Sequence, residues 1–268
     1  MNYKRVLTIA GSDSGGGAGI QADIKTISAC GCYAMTAITA ITVQNTVGVS
    51  DFYPVPEHIV QGQINAVLSD IGADAVKIGM LYSSEIIIIV KKTLKLYGIK
   101  DIVLDPVMVS TSGHKLIQDE AIEKLKKELL YMARVITPNI PEAEILLGKK
   151  INNQNELPSF AKELSSNRKV SVLLKAGHLF EKELVDVFYN AETDEVVELK
   201  SDRIETRNTH GTGCTLSSAI AAYLSHGLSL NKAVQQAKEY TNKAIIEGTS
   251  YQIGKGYGPV HHFYKFWK

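Results

Sequence analysis

One short segment of the chain has residue types that suit the binding of a phosphate group. Residues 208–215 are Asn-Thr-His-Gly-Thr-Gly-Cys-Thr, and they lead directly into LSSAIAAYLSHG, a run with helical apolar spacing. A glycine-rich turn can point several backbone N–H groups at one spot, and the start of the following helix adds its positive dipole. Gly211, Thr212 and Gly213 are therefore predicted to form an anion site.

Cys214 falls in the first turn of the same helix. The positive field at a helix N-terminus lowers the pKa of a thiol, so this cysteine is predicted to be a proton acceptor beside the anion site. Such a pairing favours phosphoryl transfer to a small acceptor. A simpler interpretation stays open here, namely a glycine turn that caps a buried helix with Cys214 as an inert core residue.

The composition narrows the classes of function. The 268 residues include 29 basic and 28 acidic side chains, for a net charge of +1, which gives no support for nucleic acid or an anionic membrane as a partner. Cys30-Gly31-Cys32 lacks the two-residue spacer of a zinc or redox pair. The first apolar run is too short for a signal peptide, and the longest, IIIIV, has five residues. A cytoplasmic protein is the expectation.

Apolar runs alternate with amphipathic segments along the chain, which predicts an α/β fold with a mostly parallel sheet and helices on both faces. Two apolar runs flank residues 191–194 and predict an antiparallel hairpin, and two helices are predicted over 213–226 and 230–247. No long linker interrupts the pattern, so 1–268 is interpreted as one domain. Predicted parallel strands or strand segments occupy 5–10, 33–45, 75–79, 101–105, 134–138 and 171–177.

Polar, charged and glycine residues follow the predicted strands, at the end of the sheet where ligands collect. The loop GSDSGGGAG after the first strand lacks GxGxxG spacing, and no GK[ST] follows it, so a Rossmann dehydrogenase and a P-loop are both disfavoured. Its three consecutive glycines favour close approach of the backbone to a small flat ligand, although a plain tight turn stays open.

Two carboxylates at neighbouring strand ends, Asp105 and Glu142, are the acids best placed for Mg²⁺, which needs only one or two protein carboxylates beside waters and phosphate. Lys175 at another strand end has the charge to neutralise a transferring phosphate. Gln44 offers a donor and an acceptor to a heteroaromatic edge, and Met80 a polarisable surface to a ring. Taken singly, each residue also fits a turn, surface or core role.

Seven motifs in consistent order resemble the hydroxymethylpyrimidine and phosphomethylpyrimidine kinases of thiamine biosynthesis, members of the ribokinase-like superfamily. The similarity runs from about residue 5 to residue 247. The motifs are AGSDSGGGAGIQADIKT, ITAITVQNT, VKIGML, VLDPVMV, TPNIPEAE, LLKAGH and NTHGTGCTLSSAIAA. The resemblance implies a three-layer α/β/α sandwich with a small β flap. It also implies ATP and Mg²⁺ as cofactors and a homodimer.

The implied activity is phosphorylation of 4-amino-5-hydroxymethyl-2-methylpyrimidine and then of its monophosphate, giving the pyrophosphate. By the same resemblance, Gln44 hydrogen-bonds the aminopyrimidine edge, and five residues line its pocket: Gly11, Ala18, Asp23, Met80 and Val107. Asn139 and Glu142 match the NxxE motif that organises magnesium and phosphate, and Asp105 joins them through water. Lys175 contacts ATP phosphates, and residues 211–214 form the anion hole over the transferring phosphoryl group.

Sugar kinases of the superfamily usually carry Asp at the position of Cys214, and cysteine matches the pyrimidine kinase branch. A pyridoxine or pyridoxal kinase is the nearest rival; some of these have a second cysteine after DPVMV, where this chain has Ser110. A non-catalytic sensor, a protein that binds the pyrimidine without catalysis, is a rival of another class. Binding alone does not require Asp105, Glu142, Lys175 and Cys214 together, so their joint presence argues against it.

The composition of 109–115 suggests a lid, and the tail GKGYGPVHHFYKFWK is expected to close over the sheet or meet another subunit.

Overall fold

A computed structural model describes residues 3–108, 116–179 and 181–267. The predicted alternation of strands and helices is confirmed. The strands are β1 (Arg5–Asp13), β2 (Tyr33–Gln44), β3 (Val49–Pro54), β4 (Ala75–Ile78), β5 (Ile102–Leu104), β6 (Val135–Ile136), β7 (Ser171–Leu174), β8 (Glu183–Asn190) and β9 (Glu195–Asp202). The helices are α1 (Gly19–Ala29), α2 (Glu57–Asp70), α3 (Ser84–Leu96), α4 (Asp119–Lys124), α5 (Ile140–Leu147), α6 (Leu157–Leu164), α7 (Thr212–Ser225) and α8 (Leu230–Gly248). The predicted lid, residues 109–115, lies outside the described residues, as does Ser110 within it.

The described strands form one nine-stranded sheet in the order β3-β2-β1-β4-β5-β6-β7-β8-β9. The six central strands pair in parallel, whereas β3 at one edge and the β8–β9 hairpin at the other pair antiparallel. The hairpin around 191–194 is therefore confirmed, and it extends the main sheet. Because six strands run the same way, their carboxyl ends meet at one rim, where the predicted site residues lie.

Helices cover both faces of the sheet, as expected for buried parallel strands. Along β1, Leu7 and Ile9 pack into the core beneath α2 to α6, while Val6 packs into the core shared with α1, α7 and α8. Alternate side chains of one strand point to opposite faces, so each apolar strand supplies both cores. α7, whose first turn follows the predicted anion site, is thereby held against the sheet along its length.

The helical segment over 119–132 is not continuous. α4 ends at Lys124, a π-helical turn follows over Leu125–Leu129, and a 3-10 turn covers Leu130–Met132. Leu125 and Leu130 are both buried in the core. Their spacing of five residues suits the wider i→i+5 turn, which places both side chains on the same side.

None of the helices in the described ranges is long and apolar enough to cross a membrane. The C-terminal tail packs against α7 and α8 around His262. His262 is buried, its Nε2 lies 3.2 Å from Thr215 Oγ1, and its carbonyl oxygen accepts a hydrogen bond from the Tyr240 hydroxyl. Docking of the tail therefore depends on a neutral imidazole.

We expect His262 to make the protein sensitive to acid. Burial lowers the pKa of His262 to about 3, whereas an exposed histidine in the unfolded chain titrates near 6.5. The stability that this group supports is complete above pH 6.5 and is lost as the pH falls towards 3, because only the unfolded chain takes up the proton. Between pH 7.5 and pH 5 the loss in unfolding free energy should be about 2 kcal/mol.

Urea unfolding at the two pH values measures this loss. His262→Gln removes the titrating group, so its unfolding free energy should change less between pH 7.5 and pH 5 than that of the wild type. Equal pH dependence in the two proteins would contradict the assignment.

Candidate active site

A cavity of about 830 Å³ opens at the carboxyl rim of the sheet. The structure brings all but one of the predicted site residues to its wall. These are Gly11, Ala18, Gln44, Met80, Asp105, Val107, Asn139, Glu142, Lys175, Gly211, Thr212, Gly213 and Cys214. The roles of these residues stay predictions, but their convergence from across the chain is a feature of the fold.

The predicted anion site, residues 211–213, is the turn at the start of α7 and is called the anion turn. Gly211 is the N-cap residue with φ +81°, and a side chain there would collide with the carbonyl oxygen of Gly17. Glycine is therefore required twice over, by its backbone conformation and by the close approach of the loop after β1. The first amides of α7 have no partner within the helix, so Gly213 and Cys214 can present N–H groups to an anion.

Cys214 lies at this helix start, but its ionisation differs from the prediction. Burial raises the pKa of the Cys214 thiol to about 12, although the nearby Lys77 charge opposes the shift. The expected lowering by the helix dipole is therefore wrong, because the loss of hydration outweighs the field at the helix terminus. At neutral pH the thiol is protonated and able to hydrogen-bond to an acceptor alcohol.

Lys175 and Asp105 form an ion pair beside the anion turn. Lys175 Nζ lies 3.1 Å from Asp105 Oδ1, which also accepts a hydrogen bond of 2.9 Å from Thr137 Oγ1. A Cβ atom on Gly213 would lie 3.3 Å from Lys175 Nζ, so the lysine and the anion turn are close neighbours. Burial acts to raise the pKa of Asp105, but the charges of Lys175 and Lys77 and the Thr137 hydrogen bond hold it below its ordinary value.

Asn139 and Glu142 form a capping box at the start of α5. The Glu142 amide donates to Asn139 Oδ1, and the Asn139 amide donates to Glu142 Oε2, both at 2.9 Å. Pro141 in the first turn suits this helix start. Burial raises the pKa of Glu142 to about 7, Lys175 opposes the shift and Asp105 adds to it. The capping geometry holds the Glu142 carboxyl towards the cavity with one oxygen already bonded.

A second part of the cavity wall combines apolar and polar residues. Met80 lies beside Gly11, since a Cβ atom on this glycine would be 3.1 Å from Met80 Sδ. Gln44 is oriented by Thr42, whose Oγ1 donates to Gln44 Oε1 at 3.1 Å. Gln44 Nε2 lies 3.3 Å from His210 Nε2. This wall offers an apolar surface and one amide to a ring-shaped ligand.

Asp23 does not line the cavity, which corrects its predicted role in the pocket. It is fully buried, where Lys77 Nζ lies 2.9 Å from each of its carboxylate oxygens. Thr8 and Ser218 hydroxyls donate to the same carboxylate. The carboxylate therefore has its partners inside the protein, and Lys77, which the sequence analysis missed, reaches the cavity wall in its place.

A second pair that the sequence analysis missed joins two distant loops. His210 Nε2 lies 2.9 Å from Asp13 Oδ2, and the amides of Gly15, Gly17 and Ala18 donate to the Asp13 carboxylate. Burial acts to raise the pKa of Asp13, but the hydrogen bonds from His210 and these amides keep it lowered. The glycine loop after β1 is thus folded around Asp13 and tied to the anion turn.

Comparison with known proteins agrees with a kinase of the ribokinase-like fold. The family model of phosphomethylpyrimidine kinase matches residues 13–261. A hydroxymethylpyrimidine/phosphomethylpyrimidine kinase from Rhizobium meliloti is 49% identical over 98% of both chains. The crystal structure of a phosphomethylpyrimidine kinase from Clostridium difficile 630 has a TM-score of 0.79 and 45% identity, and covers 90% of this chain and 99% of that chain.

A pyridoxal kinase from Staphylococcus aureus, solved in complex with AMP-PCP and pyridoxal, has a TM-score of 0.89. It is 34% identical, and the match covers 99% of this chain and 96% of that chain. The fold and the site thus define a small-molecule kinase. The chain belongs to the phosphomethylpyrimidine kinase family.

Proposed function

We propose that the chain transfers the γ-phosphoryl group of ATP to the hydroxymethyl oxygen of 4-amino-5-hydroxymethyl-2-methylpyrimidine, and then a second phosphoryl group to the monophosphate. In the first step the acceptor oxygen forms a bond to the γ-phosphorus. The bond from this phosphorus to the bridging oxygen breaks, ADP leaves with the electron pair, and the hydroxyl proton is released.

The observation that carries this proposal is one shared cavity. It holds an acceptor wall with Gln44 and Met80, a helix N-terminus with Cys214, and the Lys175–Asp105 pair beside that helix. Phosphoryl transfer passes through a loose transition state, so catalysis rests mainly on positioning and on neutralising charge. These three parts supply an acceptor site, an anion site and a cation in one cavity.

The acceptor wall suits an aminopyrimidine. The Gln44 amide carries both a donor and an acceptor, which complements an exocyclic amine next to a ring nitrogen. The hydrogen bond from Thr42 limits the rotation of Gln44 before a ligand arrives. Gly11 packs closely against Met80, while Ala18 and Val107 add apolar surface to the wall. A flat ring held by one amide turns its substituents in a defined direction.

The donor set beside Lys175 fits a magnesium ion that takes most of its ligands from water and phosphate. Asp105 and Glu142 are hard oxygen donors on the same wall, and Asp105 Oδ2 lies 3.4 Å from Ser217 Oγ. Within the described ranges no group of three or more His, Cys, Asp or Glu residues could hold a metal by itself. When bound, the ion would neutralise charge on the β- and γ-phosphate oxygens.

The test is ATP consumption, with product identification by mass spectrometry, for the hydroxymethylpyrimidine, its monophosphate and pyridoxal side by side. The proposal expects turnover of both pyrimidines and formation of the mono- and pyrophosphate. Binding of the pyrimidine without turnover of any acceptor would support the non-catalytic sensor instead.

A pyridoxal kinase activity is the second candidate, because the Staphylococcus aureus structure resembles this chain with a TM-score of 0.89. The higher identity to named pyrimidine kinases favours the pyrimidine as the main substrate. Turnover of pyridoxal with a higher kcat/KM than the hydroxymethylpyrimidine would reverse this order.

We also propose that the protein is a homodimer joined through the sheet edge formed by β2 and β3. Ile41, Val43 and Tyr53 lie on one face of this edge and are 51%, 57% and 63% exposed. A cluster of large apolar side chains in water is typical of a protein interface. Light scattering should give twice the mass of the chain for the wild type and the mass of one chain for Ile41→Lys. A monomeric wild type would contradict the proposal.

A further inference from the structure

The C-terminal strap, residues 251–259, returns from α8 to the turn that follows β2. The amides of Lys255 and Gly256 each lie 3.2 Å from Thr46 Oγ1, and the Tyr257 amide donates to the Thr46 carbonyl oxygen at 2.8 Å. Three successive backbone donors therefore meet one threonine. Thr46 follows Gln44 by two residues, so the strap is fastened next to the acceptor wall.

The same strap is tied at its other end to the anion turn. The His210 amide donates to the Gly258 carbonyl oxygen at 3.0 Å, and Asn208 Nδ2 donates to the carbonyl oxygens of Gly248 and Tyr251, both at 2.7 Å. Residues 254–259 thus connect the turn after Gln44 with the loop that leads into α7. One short segment spans both halves of the site.

The glycines of the strap are required by close approach. A Cβ atom on Gly256 would collide with the Thr46 carbonyl oxygen, and one on Gly258 would collide with the Asn208 side chain. The φ angle of Gly256 is not in the left-handed region, so its backbone conformation would accept alanine. Alanine is excluded there because its Cβ atom would collide with the Thr46 carbonyl oxygen. The strap can make its hydrogen bonds only while both glycines lack a side chain.

Tyr257 lies where the strap passes from its contacts with Thr46 to the Gly258–His210 hydrogen bond, and it lines the cavity. We propose that the strap is a wall of the acceptor pocket and that Tyr257 contacts the ring of a flat aromatic acceptor, with Thr46 as the positioning residue. This inference rests on the proposed function. Stacking on an aromatic side chain suits a pyrimidine, because any such ring offers a π face.

Thr46→Val tests the fastening, since valine keeps the shape of threonine but replaces the hydroxyl by a methyl group. The two amides then lose their acceptor and meet a methyl group, so the strap should loosen at residues 255 and 256. We expect the KM for the hydroxymethylpyrimidine to rise about tenfold while kcat and the KM for ATP change less than about twofold. Thr46→Ser keeps the hydroxyl and should stay near the wild type.

A matched pair of glycine substitutions tests the strap without touching Thr46. Gly256→Ala should raise the KM for the acceptor in the same way, whereas Gly62→Ala adds a Cβ atom where nothing lies within 4 Å and should not. Tyr257→Ala should raise this KM about tenfold, and Tyr257→Phe, which keeps the ring, should change it less than about twofold.

Tryptic cleavage after Lys255 reports on the strap independently of activity. We expect faster cleavage in Thr46→Val than in wild type and Thr46→Ser, and slower cleavage in wild type when the pyrimidine is bound. An unchanged KM together with unchanged cleavage in Thr46→Val would overturn the inference. If the wild type does not turn over the pyrimidine, the proposed function fails. Calorimetry then tests the role of the strap in binding: an unchanged Kd of the pyrimidine in Thr46→Val would overturn the inference.

Discussion

Replacing Cys214 by alanine is expected to lower kcat about 100-fold and to leave pyrimidine affinity nearly unchanged. The thiol lies at the start of α7, where it can hydrogen-bond the acceptor hydroxyl, while the ring is held by other residues. Because burial raises the pKa of the Cys214 thiol to about 12, the protonated thiol acts first by positioning the alcohol. A loose transition state needs little help from a base.

Steady-state kinetics and calorimetry with the pyrimidine measure the two parts of this prediction. Cys214→Ser keeps a hydrogen-bonding group and should retain more kcat than the alanine variant. The wild-type kcat should be nearly flat from pH 7 to pH 9; a thiolate base would make it rise about tenfold per pH unit in this range. An alanine variant with wild-type kcat would remove Cys214 from the mechanism.

Replacing Lys175 by methionine is expected to have the largest effect, a loss of about 10³-fold in kcat. The lysine is the cation beside the anion turn, and its Nζ lies 3.1 Å from Asp105 Oδ1. Burial acts to lower the pKa of Lys175, but Asp105 and Glu142 raise it above its ordinary value, so the charge is permanent at neutral pH. Removal of this charge takes away the cation beside the anion turn.

The same substitution also leaves the buried Asp105 without its ion-pair partner, which is expected to lower the unfolding free energy by several kcal/mol. A double variant, Lys175→Met with Asp105→Asn, separates the two effects. It should recover much of the stability, measured by urea unfolding, without recovering kcat. Recovery of kcat in the double variant would show that Lys175 acts only on the fold.

Much of the fold was predictable because each feature depends on local residue patterns. Short apolar runs alternate with amphipathic segments, and this pattern correctly predicts the six parallel strands, most helices and the β8–β9 hairpin. It does not predict the edge strand β3. The break in the helix at 125–132 was not predicted, because a periodicity of 3.6 was assumed and the buried leucines at positions 125 and 130 require a wider turn.

The rim of the sheet was predictable for the same reason. Asp105 and Lys175 were predicted to end strands and Asn139 to follow one, and parallel strands must end at one edge. Asp23 was placed wrongly, since sequence similarity does not show that its carboxylate points inward to Lys77. A buried lysine within the apolar strand β4 was the signal that an internal carboxylate was needed.

The site's long-range contacts were beyond reach of the sequence. Asp13 and His210 are 197 residues apart, and only the folded chain brings their side chains to 2.9 Å. The available signals were an acid, Asp13, just before a run of glycines, and a histidine, His210, directly before the anion turn. The raised pKa of Cys214 was missed for a related reason, because the depth of burial follows from packing and not from position in a helix.

The most direct test of the account is a crystal structure with the hydroxymethylpyrimidine and a non-hydrolysable ATP analogue. We predict that the hydroxymethyl oxygen lies in hydrogen-bonding contact with Cys214 Sγ, with the γ-phosphate at the N-terminus of α7 and next to Lys175. A pyrimidine bound elsewhere in the cavity, or a thiol separated from the acceptor oxygen by other side chains, would contradict the proposed chemistry.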